Sequence, residues 1–270
     1  MKTRIIAAAV LLPLLLLVLF VLPKIFLTVL VGVMAAIGAY ELTAGTGLVK
    51  HIRLSVYSML AAFWVCLWCG LGISNAWLLL GVLLFWGALF AETMLCDMKI
   101  SFDKIAICSV AGVLLPLLFG SLIRIHSGEY GRYLICVPFI LAFMSDTGAY
   151  FVGCKFGKHK LAPTISPKKS KEGVLGGVAC GIVSMLIFCL VLQLVFDFTP
   201  NYIFATIYGL VGSLVAVFGD LCFSVIKRQT GIKDYGNLIP GHGGILDRFD
   251  SMMLVGPLAE ILLILLPLVV

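Results

Sequence analysis

Charge is what this chain most conspicuously lacks. Asp, Glu, Lys and Arg make up 12% of its 270 residues, against about 25% in an ordinary soluble domain. Hydrophobic residues reach 62%, with a mean hydropathy of +1.16. A water-soluble fold of this length could not hide that much apolar surface, so an integral membrane protein is implied. Length also excludes two large independent domains. The apolar runs lack the two-residue alternation of an outer-membrane strand and extend to about 20 residues, which is the length of a helical crossing. No small-residue cleavage site follows the first run, although Lys2 and Arg4 precede it. Pro23-Lys24 leads straight into another run, so a removable signal peptide is the weaker reading. Repeats and low-complexity linkers are missing as well. Of the nine cysteines, Cys66 and Cys69 have redox spacing, but no second pair or histidine completes a zinc site, and packing in apolar spans accounts for them.

What is present predicts an all-α polytopic membrane protein with about nine transmembrane helices, near 5–22, 25–43, 54–72, 76–95, 104–123, 133–153, 173–196, 203–226 and 251–269. With the N-terminus in the cytoplasm, 16 of the 19 basic residues fall on the inner side, leaving Lys24, Arg124 and Arg132 outside. That bias predicts a cytoplasmic N-terminus and an outside C-terminus. The net charge of +6 is then a rim facing anionic headgroups, worth about 1 kcal/mol per basic residue, and not a nucleic-acid signal. A single membrane domain over 1–270 is expected, with 1–132 mainly scaffold spans. The acids of that part (Glu41, Glu92, Asp97, Asp103 and Glu129) sit at or near span ends. Residues 133–270 carry the polar segments expected to do chemistry.

Two polar islands stand out. In the first, Asp220, Ser224, Lys227 and Arg228 are spaced i, i+4, i+7 and i+8, which puts them on one helix face. An aspartate facing lipid costs roughly 2.5–3.5 kcal/mol, so Asp220 should face a cavity. The bland alternative is a helix-end ion pair of Asp220 with Lys227. Farther on, His242-Gly-Gly-Ile-Leu-Asp-Arg-Phe-Asp250 spaces Asp247 and Asp250 at i, i+3, as if projecting together from the start of the ninth helix. With Asp220 they make three carboxylates able to converge on one hard cation, and oxygen ligands beside phosphates suit magnesium. Gly243 and Gly244, with Gly241, let backbone amides approach an anion. His242 reads better as a phosphate-binding residue than as a base. Lys233 and Asp234 are either a surface ion pair or a substrate contact. The second island runs from Asp146 through Lys155 to Glu172. Ser166, Lys168, Lys169 and Ser170 read either as a phosphate clamp or as an ordinary positive-inside loop.

These motifs, Ser224-x-x-Lys-Arg followed by Lys233-Asp and Gly241-His-Gly-Gly-x-x-Asp-Arg-x-Asp250, resemble the signature of the phosphatidate cytidylyltransferases, or CDP-diacylglycerol synthases. Asp146-x-x-Ala-Tyr150 and Ser166-Pro-Lys-Lys-Ser170-x-Glu-Gly173 resemble that family's other polar segment. The resemblance covers about 60 residues, and the first 130 add only span pattern and size. It implies transfer of the cytidylyl group of CTP to phosphatidic acid, giving CDP-diacylglycerol and pyrophosphate for phospholipid biosynthesis. Asp220, Asp247 and Asp250 would hold Mg2+, with a second cation such as K+. Lys227, Arg228 and Arg248 would neutralise phosphates. Asp146, Ser166, Lys168, Lys169, Ser224, Lys233, His242, Gly243 and Gly244 would bind substrate. A homodimer in a bacterial inner membrane, with its site facing the cytoplasm, is the family-level expectation. A CTP-dependent polyprenol-type lipid kinase and a cation or organic-phosphate transporter stay open as alternatives.

Overall fold

Apolar stretches of the expected lengths are helical in the computed structural model, which describes residues 13–97, 99–238 and 243–269. The helices are α1 (Lys24–Tyr40), α2 (Ile52–Leu71), α3 (Asn75–Leu95), α4 (Phe102–Ser109), α5 (Leu115–Ser127), the short α6 (Gly131–Leu134), α7 (Cys136–Phe156), α8 (Lys171–Phe196), α9 (Tyr202–Gln229), α10 (Leu246–Phe249) and α11 (Met252–Leu265). A π-helical turn, Glu41–Gly45, extends α1, and another, Val110–Leu114, joins α4 to α5. Seven of the resulting segments are long and apolar enough to cross a membrane, and they correspond to the second through eighth expected spans. The first expected span falls partly on residues 1–12, outside the described residues, and is helical over 13–20. The ninth appears as α11, 14 residues long. That is about 21 Å of helix, short of the ~30 Å hydrocarbon core.

The second polar island departs from a plain loop. β1 (Lys160–Ala162) and β2 (Ser166–Ser170) pair antiparallel, with Lys160 opposite Ser170 and Ala162 opposite Ser166. The Ile165 N–H closes the turn on the Ala162 carbonyl at 3.2 Å.

The chain divides into two compact units, one from residues up to Arg132 with Lys227–Phe249, the other from Tyr133–Ile226 with Asp250–Val270. In the first, α1 and α2 approach closely because Gly70 leaves room for the Thr28 side chain and Gly32 lies under the Phe63 ring. Leu54, Phe85, Leu89, Ile105 and Cys108 form a buried core among α2, α3 and α4. Leu79, Leu83 and Leu84 on α3 are exposed, as side chains solvated by lipid are.

In the second unit α7 and α8 are zipped by small residues. A Cβ on Gly177 would stand 2.8 Å from the Ser145 carbonyl, and one on Gly173 2.9 Å from that of Ala149. Backbones that close are how helices associate in a solvent as apolar as leucine. Ser170 caps α8, its hydroxyl accepting the Gly173 N–H at 3.1 Å. Asn201 does the same for α9 through Ile203 and Phe204. Leu175, Ile187 and Leu194 point outward from α8 and are exposed.

Candidate active site

The first polar segment is organised from within. In the first unit the buried Asp247 carboxylate accepts three hydrogen bonds. Lys227 Nζ donates to Oδ1 at 3.0 Å, and the Tyr235 and Gly244 N–H groups donate to Oδ2 at 2.7 and 3.0 Å. The side chains of Lys227 and Asp247 are only 11% and 3% exposed, so the pair is screened from solvent. Lys227 Nζ also lies 5.4 Å from the centre of the Tyr235 ring. A second carboxylate completes this knot. Glu41, at the start of the π-helical turn, accepts the Ile245 and Leu246 N–H groups, both at 2.9 Å. These are amides that the first turn of α10 would otherwise leave without acceptors. Gly236 and Gly244 lie against the Glu41 carboxylate, where a Cβ would collide with it. Gly243 adopts φ +89°, which favours glycine.

Sequence reasoning missed Glu41 as a partner of this loop. Its signal was an acid closing an otherwise apolar run. The bland reading of Asp220 with Lys227 is replaced, because Lys227 pairs with Asp247. Arg228, Lys233 and Arg248 are exposed. His242 and Gly241 lie outside the described residues. Asp247 and Asp250 do not sit on one ninth helix: α10 stops at Phe249, and α11 begins at Met252. The Asp250 carboxylate accepts the Ser251 N–H at 2.8 Å, a local bond that competes with the helix ladder.

The second unit holds an open polar cavity of about 410 Å3. Asp146 and Tyr150 of α7, Lys160 of β1, and Lys168, Lys169 and Ser170 of β2 are among its lining residues. Lys169 reaches from the hairpin to form an ion pair with Asp220 of α9, both side chains 22% exposed. Ser224 donates to Asp220 Oδ1 at 3.3 Å, as the i, i+4 spacing predicts. Asp146 lies within electrostatic reach of both Lys169 and Asp220, and its Oδ2 accepts the Ser251 hydroxyl at 3.3 Å. Gly219 lets α9 run against the Asp250 and Ser251 carbonyls. The hairpin is moored by Glu172, which accepts the Lys158 and His159 N–H groups and stands 2.6 Å from His159 Nδ1.

Of the expected clamp, Lys168 and Lys169 therefore line the cavity, Ser166 is half-buried in β2, and Ser170 caps a helix. Within each unit the described residues gather no group of three or more acidic, histidine or cysteine side chains close enough to hold a metal. The second unit does bring two carboxylates and a hydroxyl together around one ammonium. Carboxylate and hydroxyl oxygens are hard donors of the kind magnesium takes, one or two protein carboxylates at a time with phosphate oxygens and water in the remaining positions. A metal here would have to displace the Lys169 ammonium from Asp220.

The sequence matches the cytidylyltransferase family over residues 2–266. It is similar to proteins named phosphatidate cytidylyltransferase from three bacteria. Identity is 39% over 176 residues with that of Bacillus subtilis (strain 168), covering 65% of this chain and 64% of the relative. It is 40% over 176 residues with that of Staphylococcus saprophyticus, covering 65% of each. With that of Staphylococcus aureus (strain COL) it is 42% over 177 residues, covering 64% of each. The matches thus span 64–65% of the length of these curated relatives.

Proposed function

Because the chain belongs to the cytidylyltransferase family, we propose that it transfers the cytidylyl group of CTP to phosphatidic acid, releasing pyrophosphate and forming CDP-diacylglycerol. The observation that carries this reading is the cavity in the second unit, where Lys160, Lys168 and Lys169 face Asp146. It offers ammonium groups for phosphates and the Asp146 carboxylate, with Asp220 behind Lys169, for the cations that accompany them.

The reaction asks little of a general base. A phosphatidate oxygen bonds to the α-phosphorus of CTP while the bond to the bridging oxygen of pyrophosphate breaks. A phosphate monoester, with a second pKa near ~6, is mostly ionised at neutral pH. The barrier lies in bringing two polyanions together and in stabilising charge on the leaving group, which is done by positioning and by fixed cations. Lys168, exposed on the cavity wall, attracts the incoming phosphates. Lys169 neutralises one and releases Asp220 as it does so. Asp146 and the Ser251 hydroxyl hold the opposite wall. Magnesium, when bound, would polarise the reacting phosphates. The family resemblance gives Asp220, Asp247 and Asp250 as its ligands, with a second cation such as K+. Asp247 is already taken up by Lys227 and two main-chain N–H groups, so this reading rests on Asp220. The same resemblance gives Lys227, Arg228 and Arg248 to the nucleotide phosphates or the leaving pyrophosphate, and Ser166, Ser224, Lys233, His242, Gly243 and Gly244 to substrate.

The wider setting is part of the proposal. Nine spans with the N-terminus inside would put both polar islands on the cytoplasmic face of a bacterial inner membrane, where CTP is available. Phosphatidate would enter laterally with its acyl chains still in lipid, and the working form would be a homodimer. The test is product analysis with purified protein, magnesium, α-labelled CTP and phosphatidate in micelles. Label in an extractable lipid, matched by pyrophosphate and lost in Asp220→Asn, is the expected result. Labelled CDP in place of lipid label would mean a kinase, and no turnover with any lipid would overturn the enzyme reading.

A further inference from the structure

The first unit contains a second cavity, of about 400 Å3, that shares no residue with the polar one. Its walls are almost wholly apolar. Tyr57, Ala61 and Trp64 form a stripe on α2 at i, i+4 and i+7, and Trp77, Leu84 and Ala88 form the facing stripe on α3. One end is closed where the Trp64 indole N–H donates to the Trp77 carbonyl at 3.2 Å. Continuing each stripe by one turn the other way reaches Arg53 on α2 and Glu92 on α3, and these two meet. Arg53 Nη1 stands 3.1 Å from Glu92 Oε1, and the Tyr57 hydroxyl donates to Glu92 Oε2 at 3.3 Å. Tyr57 thus belongs to both the apolar wall and the polar lip.

We infer that this groove seats one acyl chain of a bulk membrane glycerophospholipid, with its phosphate held at Arg53. From Arg53 to Trp64 the groove runs about 16 Å along α2, which is the depth of one leaflet of a ~30 Å core. The lip has the matching charge. The Arg53 side chain is 73% exposed while that of Glu92 is 9% exposed, so the guanidinium faces outward and the carboxylate anchors it from behind. Of its five N–H donors, the bond to Glu92 uses one, and the planar fork suits a phosphate. Lys50, exposed just before α2, adds to the positive field. A neutral lipid would fill the walls and leave this lip unused.

The test uses full-length protein in nanodiscs with phosphatidylglycerol carrying a diazirine at the acyl tip, with photolabelled peptides mapped by mass spectrometry. Labelling concentrated on residues 57–64 and 77–88 is expected. Diazirine diacylglycerol should label them about tenfold less, the scale of one charge-assisted bond, and Arg53→Gln should erase that difference. Ala88→Trp, which fills the groove, should abolish labelling there, and Leu84→Phe should reduce it if the bulkier change does not fold. Uniform labelling of all exposed helices, equal labelling by diacylglycerol, or labelling by phosphatidate alone would each overturn the inference.

Discussion

Asp247 in the first unit and Asp220 in the second are both largely withdrawn from water, yet they are held by different kinds of partner. Asp247 takes two main-chain N–H groups as well as the Lys227 ammonium. Asp220 has among its partners the Ser224 hydroxyl and the Lys169 ammonium, both on side chains. A carboxylate fixed by backbone amides cannot let go without unfolding the loop that supplies them. One held by a flexible ammonium can exchange it for a phosphate-bound cation at the cost of a rotamer change. The first arrangement builds a loop, and the second keeps a charge available. Glu41, whose carboxylate accepts the Ile245 and Leu246 main-chain N–H groups, sides with Asp247.

The contrast is sharpest in Asp247→Ala. It strands the Lys227 ammonium and two N–H groups in a buried place, so a loss of about 3–5 kcal/mol is expected in reversible unfolding in mixed micelles. A loss under ~1 kcal/mol would erase the distinction between the units. Next comes Glu41→Ala, which leaves the Ile245 and Leu246 N–H groups without acceptors and should cost about 2–4 kcal/mol. Faster proteolysis after Lys233 is the accompanying readout. Asp220→Asn should reverse the pattern, with stability within ~1 kcal/mol of the parent while turnover falls about 100-fold. Normal turnover in that folded variant would remove Asp220 from the chemistry. Lys168→Ala should be milder still, with KM for CTP raised about tenfold through loss of one phosphate contact and unfolding unchanged. The smallest effect is expected from Ser170→Ala, about 1 kcal/mol for one helix cap, with little change in KM. A large KM effect there would restore Ser170 to the phosphate clamp.

Composition and run length made the seven long helices legible, because a stretch such as Lys171–Phe196 has few ways to be anything else in lipid. The polar islands were legible for the converse reason, since Asp146 and Asp220 need a protected environment wherever they fall. Pairings across sequence were not. Lys169 with Asp220, and Glu41 with Ile245, depend on which helices become neighbours, and no local spacing encodes that. The alternative of a Lys227–Asp220 pair was the nearest choice on one helix, yet each residue found a partner elsewhere. The hairpin of β1 and β2 escaped notice because Lys and Ser density reads as loop. The break before α11 escaped for a similar reason, as Asp250 satisfies the Ser251 N–H itself and ends a helix that hydropathy alone would continue.

The glycine seam between α7 and α8 has a practical consequence. Asp146 stands on one side of that seam, and the strand carrying Lys169 leads directly into the other. The two helices are held by main-chain closeness, to which the surrounding solvent contributes almost nothing. A polar pocket built on such a seam should keep its dimensions when one bilayer is exchanged for another, or for a detergent belt. The pocket would then behave as a cartridge that travels with the protein from membrane to micelle.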